Sequence, residues 1–127
     1  MGQALLVTVD IPLGAEVLSA LDTAGLDPKV VMWAYFSDYE DWRLVIASRH
    51  FDGRSMRECY RLIIKAMDAA GISSFRAPEV FVCPMDEPFI KRLRRIFGKA
   101  AGTEGMRLGG QRIGNRCLED AYVYRIV

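Results

Sequence analysis

The sequence predicts an α+β fold: a single-domain, two-layer sandwich in which about three helices pack on a mixed, mostly antiparallel sheet. Three observations lead there. Residues 30–48 and 106–126 each read as strand, turn, strand. Three other segments carry apolar residues at helical spacing and run up to a glycine. Finally, 127 residues with no internal repeat, low-complexity tract or linker fit one domain over 1–127. The expected order is β-α-β-β-α-β-α-β-β. Two tight hairpins argue against a purely parallel, doubly wound sheet.

Leu5, Val7, Val9 and Ile11 alternate through residues 4–11 and predict a first strand. Pro12 ends it and opens a helix to residue 24, with Val17, Leu18, Leu21 and Ala24 as its buried stripe and Gly25 as its stop. Residues 30–36 and 42–48 are aromatic and β-branched runs around a five-residue acidic loop, a hairpin signature. Trp33 and Tyr35 share one face of that hairpin and Phe36 takes the other, so at least one aromatic set belongs to the core.

Ser55 and Glu58 form a capping box, and the helix behind it turns Met56, Cys59, Tyr60, Ile63, Ile64 and Met67 inward before Gly71 closes it. Residues 79–83 make a short strand ended by Pro84. Asp86 is the expected cap of a third helix with Pro88 in its first turn. Residues 106–113 and 116–126 form a second hairpin around Gly114-Asn115. Counting outward from that turn pairs Ile113 with Arg116 and sets Gly109 against Asp120.

The third helix carries the most informative pattern. At about 100° per residue, Phe89, Ile90, Leu93, Ile96 and Phe97 share one arc. Lys91, Arg92, Arg94, Arg95 and Lys99 project from the other, with no acid among them. Like charges three and four residues apart repel, so this face points to an anionic partner. Nucleic acid and an acidic protein are the candidates, with Arg107, Arg112 and Arg116 extending the surface. The competing reading is a solvated outer face, or one whose arginines pair with the acids of residues 38–41.

Net charge is only +1, but it is uneven: residues 85–127 hold nine Lys/Arg against five Asp/Glu. Cys59, Cys83 and Cys117 form no Cys-x-x-Cys pair, which argues against a disulfide framework or zinc ribbon and fits a cytoplasmic protein. No segment has the roughly 20 apolar residues of a membrane span. No phosphate-binding loop, dinucleotide fingerprint or nucleophile elbow is present, so no cofactor is expected. His50 is the only histidine.

The leading expectation is a non-catalytic binding domain that uses the basic face. One alternative is a small metal-dependent hydrolase of phosphodiesters. Glu119 and Asp120 are its first candidate ligands, with Asp10 or Glu79 beside them and Lys91 or Arg95 on the phosphate. Adjacent strand residues point apart, so Glu119 and Asp120 would act together only across a bulge. The other alternative is a structural subunit that forms a homo-oligomer through the C-terminal strand, expected at a sheet edge.

Overall fold

A computed structural model describes residues 10–100 and 102–127. The chain runs α1 (Ile11–Thr23), β1 (Val30–Phe36), β2 (Asp41–Ala47), α2 (Met56–Ala69), β3 (Val80–Val82), α3 (Pro88–Phe97), β4 (Arg107–Ile113) and β5 (Arg116–Ile126). A single 3-10 turn, Arg49–Phe51, lies between β2 and α2. The expected first strand falls mostly on residues outside the described set. Its last residue, Ile11, is helical, because the Asp10 carboxylate accepts the Leu13 amide at 2.9 Å and starts α1 there.

The five strands form one sheet in the order β3-β2-β1-β5-β4. Among the described strands only β2 and β3 are parallel, joined through α2. All other neighbours are antiparallel. Both hairpins form, and the second has the expected register, with Ile113 opposite Arg116 and Gly109 opposite Asp120.

The α+β class, the three helices and the mixed sheet match the sequence expectation, but the layering differs. α1 and α2 cover one sheet face, meeting Val31, Trp33, Leu44 and Ile46. α3 covers the other, where Phe89, Ile90 and Leu93 meet Met32, Ala34, Phe36 and Val45. The reason lies in β1, Val-Val-Met-Trp-Ala-Tyr-Phe, in which six of seven residues are buried. A strand that is apolar at odd and even positions alike must be covered on both faces. One helical layer cannot do that, so the sandwich has three layers.

Three further expectations are corrected. β5 lies between β1 and β4, so the C-terminal strand is not an edge on which to build a homo-oligomer. Among the described residues the edges are the three-residue β3 and the polar, glycine-bearing β4, both poor templates for adding a strand. Met56 and Ile64 of α2 are exposed, because its buried stripe runs through Cys59, Ile63, Ala66 and Met67. Ile96 of α3 is likewise about half exposed, at 49%.

The first hairpin's aromatics are mostly core. Trp33, Phe36 and Trp42 are buried, Tyr35 is half-buried, and Tyr39 at the turn lies under the Arg43 guanidinium, 4.2 Å from the ring centre. Tyr39 is the most exposed of them, and one of its faces is taken by Arg43. α1 comes close to β5 because Gly14 has no side chain. A Cβ there would overlap the Tyr124 ring, whose hydroxyl donates to the Ile11 carbonyl. Burial pushes that phenol up to about 12.

Candidate anion-binding site

α3 begins without a cap of its own. Its N-cap residue is Glu87, not Asp86, and the Glu87 carboxylate makes no capping bond. It turns inward to Arg116, with Oε2 2.6 Å from Nε, and the two side chains are only 12% and 16% exposed. Arg116 also lies 4.7 Å from the centre of the Phe81 ring and bonds the Tyr39 hydroxyl. Burial opposes its charge, yet the bonds to Glu87 and Tyr39 outweigh that and hold the guanidinium more firmly protonated than usual. The orphan amide of Phe89 is instead capped from the second hairpin, donating to Asn115 Oδ1 at 3.1 Å. Pairing with Arg116 thus removes an acid from the surface of α3, and the outer face keeps only cations beyond Asp86.

Lys91, Arg92 and Arg95 project from that face into solvent, and Lys99 is exposed just beyond the helix. Arg94 is half-buried and donates Nε to the main-chain oxygen of Val127 at 2.7 Å, which leaves its two terminal nitrogens without a hydrogen-bond partner among the described residues. Among the described residues, none of these five cations has a carboxylate side chain within salt-bridge distance. The acids of residues 38–41 do not reach them. Of the twelve other cations among the described residues, five are matched: Lys29 with Asp27, Arg76 with Glu16, Arg107 with Asp120, Arg116 with Glu87 and Arg125 with Asp22. The remaining seven are not matched, but those seven are not gathered on one helix face.

The β4 arginines do not extend this surface. Leu108 and Ile113 pack in the core cluster beneath α3, so their neighbours Arg107 and Arg112 point to the opposite sheet face. Arg107 is held in a fork by both Asp120 oxygens at 2.7 and 2.8 Å, and Arg112 donates to the Cys117 sulfur at 3.3 Å. Arg116 is committed to Glu87.

Two arginines outside the sequence candidates join the site instead. A cleft of about 530 Å³ opens where the parallel strands β2 and β3 end, and Arg49 and Arg54 line it together with Lys91 and Arg94. Phe51, Val82 and Met85 also line it, and Asp52 and Asp86 add carboxylates. The loop is fixed from below: Ser48 is buried, donates to the Leu26 carbonyl and accepts the His50 amide at 3.1 Å. Arg54 Nε donates to the His50 carbonyl at 2.8 Å. A second depression of about 260 Å³ lies along α3 against Lys91, Arg92, Arg95, Asp86 and Gly114. Lys91 and Asp86 border both, so a cationic band runs from Arg49 and Arg54 over α3 to Arg95. The sequence signal for the first two was their place after β2, since ligand sites in sheets with parallel strands favour the carboxyl ends of those strands.

The metal-site candidates do not converge. Asp120 is occupied by Arg107, Asp10 caps α1, and Glu79, just before β3, and Glu119, in β5, are exposed and lie apart in the fold. The register of β5 against β1 does shift beside Glu119, but the shift brings no third ligand to it. Among the described residues no group of three His, Cys, Asp or Glu side chains is placed to hold a metal ion. Cys59 lines the cleft, but burial pushes its thiol up and its sulfur donates to the Phe51 carbonyl, so it is no activated nucleophile. Among the same residues no helix is long and apolar enough to cross a membrane.

Comparison with protein-family models, with curated proteins and with solved structures gives no match. The reading of the site therefore rests on its geometry.

Proposed function

We propose that this protein is a non-catalytic binding domain that holds nucleic acid by its phosphates across the outer face of α3. One observation carries the reading. Lys91, Arg92, Arg94, Arg95 and Lys99 cluster on and just beyond one helix, and among the described residues none has a carboxylate side chain within salt-bridge distance. Unpaired arginines suit phosphate oxygens because the guanidinium fork donates to two of them at once. A net charge of +1 gives little long-range attraction, so binding is modest and depends on this one face.

The test is fluorescence anisotropy with labelled single- and double-stranded oligonucleotides over a salt series. Wild type is compared with the triple variant Lys91→Glu/Arg92→Glu/Arg95→Glu, whose exposed positions leave the fold intact. Contact with three or four phosphates gives a slope of about −2 to −4 in log K against log salt. Binding is expected to be lost in the triple variant. No binding by wild type at low salt overturns the reading in favour of an acidic protein partner.

A further inference from the structure

We infer that the cleft at the carboxyl ends of β2 and β3 is a binding site for a nucleoside monophosphate. It shares Lys91 and Arg94 with the surface proposed above but needs no polymeric partner.

The cleft's chemistry has three parts. The first is cationic: Arg49, Arg54, Lys91 and Arg94 converge on one space. Arg54 and Arg94 are each tethered through Nε to a main-chain oxygen, at 2.8 and 2.7 Å, so their terminal nitrogens are pre-positioned for an oxyanion. Tethering lowers the ordering cost of binding. The second part is apolar: Met56, half exposed, lies beside the buried Phe51, Val82 and Met85 and gives the cleft an apolar wall that a planar base can cover. The third is the pair Asp52 and Asp86, which repels a bare anion but accepts hydrogen bonds from hydroxyl groups. A ligand that satisfies all three has a phosphate, hydroxyls set apart from it, and a flat body. Four cations against two carboxylates leave an excess of two positive charges, which matches a phosphate monoester near its dianionic form. The volume of about 530 Å³ is that of a small-ligand pocket.

The experiment is isothermal titration of the protein with AMP, GMP, CMP and UMP at low salt, with ribose phosphate and inorganic phosphate as controls. Two variants separate the cleft from the outer face: Arg49→Gln/Arg54→Gln, and Arg92→Gln/Arg95→Gln. At least one nucleotide is expected to bind saturably, with Kd on the order of 0.1 mM. Arg49→Gln/Arg54→Gln should weaken it by about tenfold or more, and Arg92→Gln/Arg95→Gln by less than about threefold. Ribose phosphate and inorganic phosphate should both bind at least about tenfold more weakly than the nucleotide, because neither covers the apolar wall. Absence of saturable nucleotide binding overturns the inference. So does equal weakening in both variants, or equal affinity for ribose phosphate. Oligonucleotide binding is measured with the same variants. Its loss in Arg92→Gln/Arg95→Gln alone bears on the α3 surface, so the two readings fail separately.

Discussion

α2 and α3 are both amphipathic helices packed on the sheet, but they begin in opposite ways. α2 is capped by its own sequence: Ser55 Oγ accepts the Glu58 amide at 3.1 Å, and Glu58 accepts the Ser55 amide at 3.0 Å. α3 borrows its cap from a turn 26 residues away in sequence, through Asn115. The acid at its own N-cap, Glu87, is committed to Arg116. A locally capped helix can form wherever its apolar face finds cover. A helix capped by a distant turn is fixed in place by that turn. The second arrangement suits α3, whose cations must hold a defined position relative to the loop bearing Arg49 and Arg54.

The sharpest way to break this contrast is at the docking turn. Gly114 has φ +59°, and a Cβ there would lie 2.5 Å from the Pro88 carbonyl carbon. Gly71, which closes α2, has φ +79° but faces open space. Gly114→Ala is expected to cost about 3 kcal/mol in urea denaturation, combining strain with overpacking, against about 1 kcal/mol for Gly71→Ala. Equal losses would mean that the turn does not hold α3.

Removing the caps has a smaller effect. Ser55→Ala and Asn115→Ala should each cost about 1 kcal/mol. Amide exchange distinguishes them: Ser55→Ala speeds exchange in the first turn of α2 only. Asn115→Ala speeds it at Phe89 and across the β4–β5 turn together. Confinement of the Asn115→Ala effect to its own turn would refute capping from a distance.

The smallest effect is a pH dependence confined to α2. The Glu58 carboxyl lies below its usual range, chiefly because it accepts the Ser55 amide, with Arg54 and Arg61 contributing. A carboxyl depressed by folding stabilises fully above its unfolded value, and the gain is lost as pH falls through the folded one. The first turn of α2 should therefore lose exchange protection on acidification below the ordinary glutamate range. The Asn115 amide does not titrate, so the Phe89 bond should outlast it. Parallel loss at both helix starts would remove the distinction.

Much of the fold was legible because the relevant physics is local. The capping box of α2, the stripe Cys59-Ile63-Met67 and the register around Gly114-Asn115 depend on residues a few positions apart, and all three occur. The basic face of α3 was legible for the same reason, since a 100° step alone places Lys91, Arg92 and Arg95 outward. The continuous apolar run of β1 already implied cover on both faces, although period-2 reasoning applied to hairpins understated it.

What the sequence by itself determined is where the two hairpins and the cores of the three helices lie, and the broad apolar face of each, because helical and strand periods are set by the backbone. Only the tertiary structure decided which charges are neutralised and which are left free. Asp120 meets Arg107 and Glu87 meets Arg116, while Arg49 and Arg54 join Lys91 and Arg94 across roughly forty residues of chain. Those meetings follow from how the layers pack, and no local period encodes them.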